Sequence, residues 1–99
     1  MELKLTLRLL TNEERIFGPG VAELLERVQE HHSLRSAAAS MEMAYSKACK
    51  LLSSSTGGRH GGGASLTPEA ERLLTAYRTL ETEVNAYSQE RFHVLFDSL

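Results

Sequence analysis

Apolar and polar residues alternate from the start of the chain: Leu3, Leu5, Leu7 and Leu9 are interleaved with Lys4, Thr6 and Arg8. A period of two predicts a half-buried strand over this stretch. Thr11-Asn12-Glu13-Glu14 reads as a turn, and Arg15-Ile16-Phe17 as a short returning strand. Gly18-Pro19-Gly20 then breaks the extended structure. Beyond it the period changes. Val21, Leu24, Leu25 and Val28 share one face of a helix that ends near His31-His32. Imidazoles there suit the negative end of the helix dipole, and capping or solvation is their expected role. Ser33 suits the N-cap of a second helix, from Leu34 to about Ala39, whose three consecutive alanines permit close packing. Ser40 to Met43 makes a short connection. A third helix follows from Ala44 to Leu52, with Ala44, Ala48, Leu51 and Leu52 inward and Ser46, Lys47 and Lys50 outward.

Residues 53–65 hold five of the seven glycines of the chain around Arg59 and His60, so no core can form there and an exposed loop is expected. Thr67-Pro68-Glu69 carries helix-start signals: Thr at the N-cap, Pro at the first helical position and acids in the first turn. Ala70, Leu73, Tyr77, Leu80, Val84 and Tyr87 follow at alternating spacings of three and four, which is a heptad seam. Thirty helical residues would span roughly 45 Å at about 1.5 Å per residue, more than so small a domain can cover. The seam therefore calls for a partner, and a second copy is the simplest. Phe92, Val94, Leu95, Phe96 and Leu99 form an apolar tail able to pack back on either subunit.

At 99 residues the chain can build one core with little left over. No apolar run approaches a membrane span, and the alternating N-terminus lacks the solid apolar block of a signal peptide. Cys49 is the single cysteine, so an internal disulfide is excluded and a reducing, cytoplasmic location is expected. The net charge of −2 argues weakly against a nucleic-acid partner until its distribution is considered. Residues 1–32 sum to −2 and residues 67–99 to −3, whereas residues 33–66 sum to +3, from Arg35, Lys47, Lys50 and Arg59 against Glu42. His31, His32 and His60 lie in or beside this basic zone. Binding to a polyanion responds to such a local patch more than to the whole-chain sum. Four cations in that many residues also arise by chance, so charge alone does not decide the matter.

Two short helices joined by a tight turn, the second basic on its outer face, form the helix-turn-helix pattern. Small helical hairpins also occur in proteins that never meet DNA. An enzyme is the competing class. The glycine loop lacks a phosphate-loop signature, because Gly63 is followed by Ala64-Ser65 and not by Lys-Ser/Thr. No Ser/His/Asp or Cys/His arrangement is defensible. Lys50 could activate Cys49, yet a small core or interface thiol is the plainer reading. A metal site from His31, His32 and Cys49 has little to support it. A third class is a winged or heptad-helix adaptor that binds only protein.

The run FGPGVAELLERVQEHHSLRSAAASMEMAYSKA, followed by TGGRHGGGASLTPEAERLL, resembles the N-terminal DNA-binding domain of the ModE family of molybdate-responsive regulators, itself related to the winged helices of LysR-type regulators. The Gly18-Pro19-Gly20 entry, the SLRSAA helix, the AYSKA helix and the glycine wing leading into LTPE carry the likeness together. The resemblance implies a mainly α fold with a small β component: a winged helix-turn-helix over residues 1–66, then a long dimerisation helix over 67–99 within the same compact unit. It implies Tyr45, Ser46, Lys47 and Lys50 approaching the major groove, with Arg59, His60, Gly61 and Gly62 in the wing. Ser33 and Arg35 complete the expected DNA-binding set, and Leu73, Tyr77, Leu80, Val84 and Tyr87 the expected dimer interface. Expected partners are double-stranded DNA and a second copy, with no membrane, small-molecule ligand, metal or cofactor. Two departures from the family pattern stand out. Only KLLSSS separates Cys49, a position often held by tryptophan, from Thr56, so the wing is expected to be incomplete. The chain also ends at Leu99 without the oxyanion-binding domains of molybdate sensors, so it is not expected to bind molybdate itself.

Overall fold

The computed structural model describes residues 1–12, 14–51 and 65–99; for residues 14–16, 50 and 51 it describes the backbone. Its described elements run β1 (Leu9–Thr11), β2 (Glu14–Phe17), α1 (Pro19–His31), α2 (Leu34–Ser40), α3 (Tyr45–Leu51) and α4 (Pro68–Phe96). The fold is mainly α, as expected. The fold beyond α3 up to residue 64, including the glycine loop with Arg59, His60, Gly61 and Gly62 and the short connection before it, lies outside the described residues.

β1 and β2 pair antiparallel, Leu9 opposite Phe17, Leu10 opposite Arg15 and Thr11 opposite Glu14. Asn12 turns the chain with a left-handed φ of 53°, a conformation asparagine tolerates better than most residues. The strand expected over residues 3–9 is confined to its last residue. Among the described residues, residues 3–8 have no strand partner, yet the period of two survives in their burial: Leu3 and Leu7 are half-buried while Lys4, Thr6 and Arg8 are exposed. Their partner is a helix. The carbonyl of Leu7 accepts a hydrogen bond from the Tyr77 hydroxyl at 2.8 Å, and that of Leu3 accepts one from Gln89 Nε2 at 3.0 Å. The N-terminal segment thus runs along α4 in the opposite direction, and Leu5, 42% exposed, is the break in the pattern.

Pro19 opens α1 with its fixed φ, at a position whose missing N–H costs nothing. At its other end His32 is the C-cap, with a left-handed φ of 57° and its backbone N–H donating to the Val28 carbonyl. Ala22, Leu24, Leu25 and Val28 are buried along one face, with Val21 partly buried beside them. That face meets Ala37 and Ala38 of α2, Ala48 of α3, and Ala70, Leu74 and Tyr77 of α4. Alanine at three facing positions lets α1, α2 and α3 approach closely, so the core is built from few large side chains. Phe17 closes one end, its ring 4.9 Å from that of Tyr77.

An ion pair ties α4 to α1. Arg78 reaches Glu26 at 2.6 Å and Glu81 at 2.7 Å, and its hydrogen bonds to the Glu26 carboxylate hold the guanidinium still more firmly protonated than usual. All three side chains keep about a third or more of their surface in water, so the pair contributes no more than about 1 kcal/mol. The caps matter at a similar level. Ser33 Oγ accepts from the Ser36 N–H at 3.1 Å, and Thr67 Oγ1 from the Ala70 N–H at 3.2 Å. Ser33→Ala is expected to cost about 1 kcal/mol, seen as a lower urea midpoint at unchanged slope. An unchanged midpoint would show that the Ser36 N–H finds water just as well.

Candidate nucleic-acid interface

The face in question is built by α2 and α3. Ser33 starts α2, and after Ser40 the chain turns through Met41, the C-cap, and Glu42, whose φ of 54° is left-handed. The Met43 N–H returns to the Ala38 carbonyl at 2.9 Å and closes the turn. Arg27 of α1 then pins it: Nη1 donates to the Ser40 carbonyl at 2.9 Å and to Ser40 Oγ at 2.8 Å. Nη2 of the same guanidinium is held by Glu23 at 2.7 Å. Nothing in the sequence singles out Arg27 for this role. The Glu23–Arg27 spacing of four on a helix was the available signal, but nothing local says that such an arginine reaches a turn thirteen residues on.

α3 begins with Tyr45, and the Lys47 and Ala48 N–H groups both point back to the Ala44 carbonyl, at 3.0 and 3.1 Å. Ala48 is buried, as expected, and anchors α3 against the core. Ala44 is not: it precedes the helix and is exposed, a correction to the inward position assigned from its spacing. Tyr45, Ser46 and Lys47 are all exposed: Ser46 lies on the far side of α3 from Ala48, and Tyr45 and Lys47 on its flanks. Arg35, from the first turn of α2, joins them, its Cζ lying 4.0 Å from the centre of the Tyr45 ring. The Cys49 thiol, one turn along α3, pushes the Tyr45 phenol above its ordinary range by hydrogen bonding and by charge, while Arg35 pulls it the other way. Tyr45 therefore offers a neutral O–H at physiological pH.

Ser33 stands at the edge of this group, half-buried, its side-chain oxygen engaged in capping α2. The Lys50 backbone lies in α3, while its side chain, like Arg59, His60, Gly61 and Gly62, lies outside the described residues. The face brings together Arg35, Tyr45, Ser46 and Lys47. It combines guanidinium, phenol, hydroxyl and ammonium donors, a set that can meet phosphate oxygens or the acceptor edges of bases. Among the described residues no group of three His, Cys, Asp or Glu side chains is placed to hold a metal ion. No helix among them is long and apolar enough to cross a membrane.

The heptad residues of α4 divide into two faces. Leu73, Leu80 and Tyr87 are 37%, 43% and 67% exposed, and Val84 is half-buried. Tyr77 is 1% exposed and turned into the core of its own chain with Ala70 and Leu74, so its place in an intermolecular seam is corrected. The reason is geometric. A straight α-helix drifts about 20° per heptad from a perfect seven-residue repeat, and alternate members of a three-four pattern sit on opposite flanks of the stripe. Near the start of α4 the flank of Ala70 and Tyr77 faces α1, leaving that of Leu73 and Leu80 in water. Past Tyr77 no described residue of α4 is buried at all, and Val94, Leu95 and Phe96 are exposed.

No family profile matches the chain. Among curated proteins it is similar to the transcriptional regulator ModE of Haemophilus influenzae, 32% identical over 108 aligned positions. The alignment takes in 97% of this chain and 40% of that relative, so the chain spans about two fifths of the relative's length. More positions are aligned than this chain has residues, so the relative carries residues that this chain lacks within the matched stretch. The ModE resemblance read from the residues is thereby matched along nearly the whole sequence: the chain is similar to a part of a transcriptional regulator of that name.

Proposed function

We propose that this chain is a double-stranded DNA-binding unit of a transcriptional regulator, non-catalytic, acting in the cytoplasm as a homodimer. The observation that carries the reading is the exposed group of Arg35, Tyr45, Ser46 and Lys47 on a helix-turn-helix, in a chain similar to a transcriptional regulator. In this reading α3 enters the major groove while α2 crosses the backbone. Leu73, Leu80, Val84 and Tyr87 of α4 pack against the same residues of a second copy. Two recognition helices then meet successive major grooves roughly 34 Å apart and select a pseudo-palindromic site. Residues 1–66 form the binding unit and residues 67–99 the pairing helix.

Titration of selected and scrambled duplexes at several salt concentrations tests this. Affinity is expected to fall steeply as salt rises, because counterions released from phosphates drive the association. Lys47→Ala is expected to cost about 1–3 kcal/mol and to relax the preference at one position per half-site if the ammonium reads a base. If it holds a phosphate, all duplexes weaken alike and the salt slope shrinks by about one charge. A dimer that shifts no duplex at low salt would end the DNA-binding reading and leave a protein-interaction module in its place.

A further inference from the structure

The arginine side chains Arg27, Arg72 and Arg78 are each held by a glutamate. Arg35 is held differently: it is exposed, meets no carboxylate among the described residues, and lies over the face of Tyr45. A guanidinium is attracted to a ring face by the ring's quadrupole, and its weak hydration makes it better suited to such a position than an ammonium. The ring contact leaves the N–H donors of its fork unspent. It also fixes a side chain that otherwise has several free torsions, so less freedom is lost when those donors bind. The placement is equally specific. Arg35 belongs to α2, a helix whose usual contacts are with the sugar-phosphate backbone, but the stack draws its head group to the first residue of α3. The first residues of a recognition helix are those that reach base edges.

Resting on the DNA-binding reading above, we propose that Arg35 and Tyr45 act as one unit that reads a guanine in the major groove. Arg35 donates two parallel N–H bonds to the guanine O6 and N7, and Tyr45 is the positioning platform that aims it. Guanine is the base whose major-groove edge offers two adjacent acceptors to match a planar fork. Phosphate oxygens can also accept the fork in pairs, so the experiment must separate base readout from a phosphate contact.

The test is selection of short duplexes from a randomised pool by the full chain and by five variants, followed by titration. The unmodified chain is expected to enrich one guanine per half-site. Replacing that base by 7-deazaguanine, which lacks the N7 acceptor, should lower its affinity by about 5- to 150-fold. Arg35→Ala and Arg35→Lys should lose the preference at that position alone, keep the rest of the motif, and become indifferent to the deaza base. Tyr45→Phe keeps the ring and should keep the preference. Tyr45→Leu should lose it, and combining it with Arg35→Ala should add little further loss. Uniform weakening of every duplex by Arg35→Ala, with a shallower salt slope, would overturn the inference in favour of a phosphate contact. So would an intact guanine preference in Tyr45→Leu. If the unmodified chain enriches no duplex, the DNA-binding reading fails first, an outcome separate from either of these.

Discussion

Tyr77→Ala is expected to lower the unfolding free energy by about 3–5 kcal/mol, the range for truncating a large buried aromatic side chain. Among the described residues Tyr77 is the largest side chain that is fully buried, and it joins three parts of the fold. Its ring packs on Phe17 at the end of β2, it lies beside Leu74 in the core, and its hydroxyl donates to the Leu7 carbonyl. Burial raises its phenol above the ordinary range, with Glu81 adding to the effect, so the donor stays protonated. Domains of this size have only about 5–15 kcal/mol of stability in all, and the loss would leave a large unfolded fraction. Tyr77→Phe should cost only about 1 kcal/mol, because the ring stays and one carbonyl loses its partner. Urea unfolding followed by circular dichroism separates the two. A Tyr77→Ala chain that unfolds normally but no longer self-associates would return Tyr77 to the dimer seam.

Leu80→Glu tests the other flank of α4. The residue is 43% exposed and makes no part of the buried core, so the variant should fold with unchanged helical content. In a symmetric dimer it places a carboxylate from each copy in a desolvated stripe. An unpaired buried charge costs about 3–5 kcal/mol, and two like charges face each other here. At micromolar concentrations this should convert dimer to monomer in sedimentation equilibrium and remove tight binding to a two-half-site duplex. Leu73→Glu, one heptad earlier, should behave alike. An unmodified chain that is already monomeric at tens of micromolar would sink the pairing of Leu73, Leu80, Val84 and Tyr87.

Much of this fold is legible in the order of residue types. The turn at Asn12, the proline start of α4, the Ser33 and Thr67 caps and the inward face of α1 are all local matters. Each depends on the preference of one residue or on a period within one segment, so neighbours along the chain suffice to predict them. The exposure of Ser46 and Lys47 follows in the same way once Ala48 is known to point inward. The resemblance to ModE also rests on contiguous runs, and the curated relative matches nearly the whole chain.

What was misread depends on partners distant in sequence. The alternating leucines of residues 3–8 carry a strand's period, but a strand needs a second backbone, and here α4 takes that place through Tyr77 and Gln89. The heptad pattern of α4 specifies a stripe and leaves open which flank meets the chain's own core; the crossing of α1 assigns Tyr77 inward and Leu80 outward. Arg27 looks like half of a surface ion pair until the α2–α3 turn is brought against it. Arg35 and Tyr45 are ten residues apart on different helices, and only the angle between those helices lays the guanidinium on the ring. Segment-by-segment reading thus yields elements, caps and apolar faces, because these are short-range effects of backbone sterics and periodic burial. Which faces meet, and which polar groups are aimed by the meeting, is set by packing among α1, α2, α3 and α4.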